Sequence, residues 1–205
     1  MCIKQSSIMD IQRILFHTKE LLELRGEDGE LFQKKVDEFE IGRFMDESIP
    51  ISLKDYTVLF TISKDSFKEW WASIRNMTIE ELEKQYGTKK FLLIVQEYPP
   101  SITLQALQQK DSLLNQQNGF IHIFLTRELM YNPMKHYLVP KHEKMTEEEG
   151  KKLMEELQIK TKSQLPLIQK TDIISRWLGL KHGDMVKITR YSETSGEYFY
   201  YRCCI

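Results

Sequence analysis

Residues 181–202 constrain this chain more than any other stretch. Two runs rich in β-branched and aromatic residues flank a five-residue connection, Ser192 to Gly196, which carries its glycine at the end. That pattern predicts a β-hairpin. With Tyr191 opposite Glu197, the side chains of Val186, Ile188 and Arg190 share a face with Tyr198, Tyr200 and Arg202. Lys187, Thr189 and Tyr191 then share the other face with Glu197, Phe199 and Tyr201. Each face is half apolar and half polar, which suits a sheet covered partly by its own chain and partly by a partner. Ser192 and Thr194 are placed to bond back to the turn.

Composition narrows the function classes. At 205 residues the chain has room for one domain or two small ones, and 41% apolar with 29% charged residues describes a globular protein. No apolar run reaches the roughly 18 residues a membrane-spanning helix needs. The N-terminus lacks the basic-then-apolar layout of a secretory signal, which predicts an intracellular protein without a membrane partner. Cys2, Cys203 and Cys204 are then expected to be free thiols. The net charge of −1 excludes a nucleic-acid binder held by a global basic field. Residues 1–134 hold 16 Lys+Arg against 20 Asp+Glu, whereas residues 135–205 hold 13 against 10.

The periodicity predicts two domains, 1–134 and 135–205, in an α/β (α+β) fold. The first begins with an amphipathic helix over 8–25, capped by Ser7 with Asp10 and stopped at Arg25-Gly26. A short helix near Leu31–Phe39 follows, and Asp28-Gly29 and Ile49-Pro50 read as turns. Buried strands are expected at Tyr56–Ile62, Phe91–Gln96 and Phe120–Leu125. Between them lie a helix with Trp70, Trp71 and Ile74, one capped by Thr78 and Glu81 and ended by Gly87, and one starting near Ile102. The tandem tryptophans read as core rather than as a base-stacking platform. After a break at Asn132-Pro133, Thr146 and Glu149 cap a charged helix, and a second helix spans about Asp172–Leu178 before Gly179.

The hairpin, with Leu178-Gly179-Leu180, Gln164-Leu165-Pro166, Ile168-Gln169 and Leu138-Val139-Pro140-Lys141-His142, resembles the fifth subunit shared by eukaryotic nuclear RNA polymerases, and its archaeal counterpart. The motifs fall in order over 136–205, whereas residues 1–135 match only in element order, the first helix and a Pro-Ser loop. This uneven match resembles the member of the family from a large cytoplasmic DNA virus, African swine fever virus.

The resemblance implies an N-terminal jaw domain with a nuclease-like layout and a small C-terminal assembly domain. It implies a non-catalytic subunit of a multisubunit DNA-directed RNA polymerase, with the largest subunit, other polymerase subunits and downstream duplex DNA as partners. Pro100 and Ser101 align with the family's DNA-facing loop; Pro99 and Ile102 depart from it. The alternative for that loop is a plain helix cap. The interface set is Pro140, Lys141, His142, Gly183, Arg190, Ser192, Glu193, Thr194, Gly196, Tyr198 and Arg202. An alternative for Arg190 is stacking on Tyr198 within its own sheet. The implied location is the host cytoplasm and virion for a viral protein, and the nucleus for a cellular one.

Catalysis is not expected. A nuclease of this layout needs strand-end carboxylates and a lysine two positions beyond one of them. Glu97 ends the second strand, but Pro99 occupies the lysine position. There is no Gly-rich phosphate loop, Gly-x-Ser-x-Gly or Cys-x-x-Cys, and His136 and His142 lack zinc partners. No cofactor, metal or small-molecule substrate is therefore expected. A stand-alone metal-dependent nuclease and an independent DNA-binding regulator are the competing functions.

Overall fold

The computed structural model describes residues 2–194 and 196–205, with side chains from residue 8 onward. The chain falls into two compact units that divide between Tyr131 and Asn132.

The N-terminal unit carries a four-stranded sheet in the order β1-β2-β3-β4. Its strands are β1 (Ile49–Ser52), β2 (Thr57–Thr61), β3 (Lys90–Val95) and β4 (Phe120–Leu125). β1 pairs antiparallel with β2, and the other neighbours are parallel. All five residues of β2 are buried, as expected of a strand covered on both faces. On one face α4 (Lys64–Ile74), α5 (Ile79–Tyr86) and α6 (Ser101–Gln116) pack Trp70, Leu82 and Leu107 against Leu59, Leu93 and Val95. Phe60 instead meets Phe32 of α2 (Gly29–Asp37) and Phe44 of α3 (Arg43–Asp46), with ring centroids 6.4 and 5.1 Å away.

The helix starts follow local chemistry. Ser63 caps α4 by accepting from the Ser66 N–H at 3.0 Å. Thr78 and Glu81 close a reciprocal capping box at α5, and Gly87, at φ 75°, ends it in the left-handed region. Three expectations are corrected. The first helix, α1 (Cys2–Leu24), starts before Ser7, so Ser7 lies inside it; no glycine or proline in 2–7 interrupts it. Ile8, which the apolar spacing of this helix puts on one core-facing stripe with Ile11, Leu15 and Leu22, is 38% exposed. Ile49-Pro50 is not a turn but part of β1, where the missing proline N–H is tolerated because β1 is an edge strand.

Arg25 follows α1 and is half-buried. Its Nη2 donates to Nδ1 of His122 at 3.0 Å, and its guanidinium lies 5.6–5.9 Å from the ring centroids of Tyr56, Phe120 and Phe124. Burial lowers its pKa to about 10, leaving it a cation among aromatic faces.

Gly119 turns α6 into β4 with no room for a side chain. A Cβ there would stand 2.4 Å from the Lys89 carbonyl oxygen, a backbone atom fixed by the Phe120 N–H at 3.0 Å. Gly119→Ala is expected to cost about 1–3 kcal/mol. Urea denaturation reads this as a lower midpoint; an unchanged midpoint would mean that the turn yields.

The C-terminal unit holds a second four-stranded sheet in the order β5-β7-β8-β6. Its strands are β5 (Lys141–Lys144), β6 (Leu167–Ile168), β7 (Met185–Ser192) and β8 (Gly196–Cys204), with α7 (Glu147–Glu156) and α8 (Ile173–Leu178) between them. The hairpin has the expected register, with Tyr191 opposite Glu197 and Ser192 opposite Gly196, so only residues 193–195 connect the strands. Ser195, part of the predicted connection, lies outside the described residues. β6 had no sequence signal; two residues carry no periodicity.

Candidate functional site

The C-terminal sheet is covered at its base and bare at its tip. On one face Val186, Ile188, Ile168, Leu180 and Cys204 form a core, and on the other Met185, Cys203 and Leu165 pack with Met145 and Met154. Both cysteines are free and buried, and burial pushes the Cys204 thiol up to about 11. β5 pairs with β7 only as far as Lys141 opposite Thr189. Beyond it Arg190, Tyr191 and Ser192 have β8 as their one neighbouring strand among the described residues.

The segment before β5 lies beside this free stretch. Tyr137, Leu138 and Pro140 line a depression of about 480 Å³ with Arg190, Tyr191 and Tyr198. Its apolar side chains face solvent: Tyr137 is 88%, Leu138 70% and Tyr191 81% exposed. Exposed apolar patches of this kind mark protein contact surfaces. Tyr137 is stacked on His136 with ring centroids 5.0 Å apart, which orders one wall.

The structure brings together some of the expected interface residues and separates others. Pro140, Arg190 and Tyr198 line the depression, and Lys141 and His142 continue from it along β5. Lys141 pairs with Glu143 at 2.7 Å. Arg190 does not stack on Tyr198, its cross-strand partner; its guanidinium lies 4.9 Å from the Tyr200 centroid. Sheet twist favours that diagonal contact. Arg202 reaches the same ring at 5.7 Å while its Nη1 donates to the Leu167 carbonyl at 3.2 Å. At the tip, the Thr194 N–H donates to Ser192 Oγ at 3.4 Å, Gly196 has φ 69° and Glu193 is exposed. Gly183 sits at the other end of the hairpin, where its N–H donates to the Cys204 carbonyl at 2.9 Å. Its φ of 85° explains the glycine structurally. Tyr137, Leu138 and Tyr191 are additions, and the only signal in the sequence was apolar bulk next to motif residues.

His142 joins the site electrostatically. Burial pushes it below the usual imidazole value of 6.5, partly countered by its contact with the Pro140 carbonyl at 2.6 Å and by Asp172, while Arg202 and Arg190 lower it further. The folded state therefore binds this proton less readily than the unfolded chain. Its stability contribution is present above pH 6.5 and is lost as pH falls through the lowered folded value. His142→Gln is expected to flatten the pH dependence of stability just below pH 6.5, measured by urea melts across that range. An unchanged slope would contradict this assignment.

The Pro-Ser loop opens α6. Pro100 is its N-cap, with no side-chain hydrogen bond, and its carbonyl accepts the Leu104 N–H at 2.9 Å. Ser101 is thus the first helical residue rather than the cap, and both residues are exposed. Glu97, the carboxylate a nuclease would need, pairs with Lys64 at 2.9 Å on the surface. Among the described residues, no three His, Cys, Asp or Glu side chains gather as a metal site.

Comparison with known proteins reaches beyond the C-terminal unit. The DNA-directed RNA polymerases I, II, and III subunit rpabc1 of Dictyostelium discoideum is 37% identical over 129 residues, 61% of this chain and 61% of that protein. The corresponding subunit RPABC1 of Caenorhabditis briggsae is 48% identical over 82 residues, 40% of this chain and 38% of that protein. The chain thus spans about three fifths or less of these relatives' length. Residues 131–204, which contain the depression and the whole hairpin, match the family described as RNA polymerase Rpb5, C-terminal domain.

Proposed function

We propose that this chain is a non-catalytic subunit of a multisubunit DNA-directed RNA polymerase. Its C-terminal unit docks on the largest subunit, and its N-terminal unit forms a jaw with Pro100 and Ser101 towards downstream duplex DNA. The observation that carries this reading is the location of the exposed aromatic depression within the segment similar to the Rpb5 C-terminal domain. A surface with Tyr137, Leu138 and Tyr191 in water fits a molecule whose working state buries that surface in an assembly. Arg and Tyr are also the residue types that dominate interface energetics.

The N-terminal unit then works by position. Acidic residues outnumber basic ones in residues 1–134, 20 to 16, so its DNA contact depends on being held there by the rest of the polymerase. The source is a large cytoplasmic DNA virus of the African swine fever virus kind, with the protein in host cytoplasm and virion. Support for this is the set of motifs in order over 136–205, beside an N-terminal loop where Pro99 and Ile102 depart from the family's residues.

Affinity purification of the tagged chain from its native setting, followed by mass spectrometry, tests the assignment. Polymerase subunits in near-stoichiometric yield are the expected result. Their absence, or Mg²⁺-dependent DNA cleavage by the purified chain that Glu97→Ala abolishes, would overturn it.

A further inference from the structure

A second concave surface lies in the N-terminal unit, and Pro100 of the loop assigned above to downstream DNA stands on its rim. It is a cleft of about 460 Å³ where β2 and β3 end, lined by Thr61 and Val95 at their C-terminal ends. One wall is α4 with its C-cap Arg75, and Lys64, Lys68, Trp71 and Arg75 line the cleft from it. Their spacing of four, three and four residues is one stripe of a helix. The facing wall is Tyr98-Pro99-Pro100, and Phe67 adds apolar surface. We propose that this cleft binds a short acidic peptide segment, which inserts one aromatic or large aliphatic side chain and sets its carboxylates against the basic stripe.

Three observations point to that occupant. The tandem tryptophans divide their work: Trp70 is 6% exposed and belongs to the core, whereas Trp71 only borders that core and lines the cleft. An indole with one face on a core and the other on a cleft offers an apolar site with no packing partner of its own. The charge is also inverted relative to the unit around it. Lys64, Lys68 and Arg75 stand against Glu97 alone in the lining, in a unit where acids outnumber bases. Two of the cations are held by surface pairs, Lys64 with Glu97 at 2.9 Å and Lys68 with Asp65 at 3.2 Å. Such pairs are weak and open to exchange with an incoming carboxylate. Finally, α4 and α6 both begin at the cleft, and the first turn of α6 has no side-chain cap. Their positive ends add to the preference for an anion.

The apolar walls decide between acidic partners. A duplex presents phosphates on a stiff rod and holds its bases stacked inside, so it has no projecting side chain to place between Trp71 and Pro99. An acidic peptide fills the cleft with a side chain and meets the rim with carboxylates, the arrangement of an anchored interface.

The test uses the full chain and four fluorescent probes of about 15 units each, a length suited to groove-binding segments. They are a peptide alternating Asp/Glu with Phe/Leu, the same peptide with Lys for every acid, a single-stranded DNA and a duplex DNA. Fluorescence anisotropy is expected to show saturable binding of the acidic peptide, none of the basic one, and movement of the Trp71 indole N–H signal in NMR. Lys68→Glu with Arg75→Glu, both exposed so that folding is spared, is expected to weaken the acidic peptide by about tenfold or more. Trp71→Ala, checked for an unchanged thermal melt, is expected to do the same. Undiminished binding to the charge-reversed chain, no saturable peptide binding, or displacement of the peptide by either DNA at a lower concentration than by unlabelled peptide would overturn the proposal. The last outcome would make the cleft a nucleic-acid site.

Discussion

Arg190→Glu combined with Tyr191→Ser is expected to abolish co-purification with the polymerase while the chain stays folded. Tyr191 is 81% exposed and Arg190 lies over Tyr200 at the sheet surface, so neither change opens a cavity. Surface changes of this sort shift stability by only about 0.5 kcal/mol. At an interface the same two residue types are typical anchors, each worth about 2 kcal/mol or more. Together they predict a loss of affinity approaching roughly a thousandfold. Arg202 makes a poorer test, because its bond to the Leu167 carbonyl ties β8 to β6, so Arg202→Ala mixes lost docking with lost folding. Retained polymerase association in the folded double variant would move the docking surface elsewhere.

The second large effect is on stability. Trp177, in α8, is fully buried and heads the buried side chains by volume. Trp177→Ala is expected to cost about 3–5 kcal/mol through lost apolar burial and an unfilled cavity. A unit of this size has only about 4–11 kcal/mol to lose. The full-length variant should therefore show a separate early transition in a urea melt, with loss of polymerase association as a consequence. Trp177→Phe, which keeps an aromatic ring, should fall between the two. A single unchanged transition for Trp177→Ala would mean that neighbouring side chains collapse into the space.

What was legible in the sequence is what local chemistry decides. The capping boxes at Thr78 and Thr146, the glycines after α5 and α8, and the register of the hairpin all depend on residues close in sequence. β1 was hidden because a proline argues against a strand unless the strand is at an edge, and edge status belongs to the sheet. The early start of α1 was hidden because Ser7 with Asp10 imitates a cap inside a continuous helix. The surface around Arg190 divides in the same way. Its motif residues were readable by resemblance, but the exposure of Tyr137 and Tyr191, and the choice of Tyr200 over Tyr198 as the stacking partner, arise only once β5, β7 and β8 lie side by side.

The central claim is that the C-terminal surface, not the N-terminal unit, fixes this chain to its assembly. Lysine cross-linking of the purified complex, read by mass spectrometry, tests it most directly. Lys135 and Lys141 flank the segment that carries Tyr137 and Leu138, and both are exposed. The account predicts cross-links from these two lysines to the largest polymerase subunit, diminished in the Arg190→Glu, Tyr191→Ser chain. Cross-links to that subunit from lysines of residues 1–131 alone would contradict it.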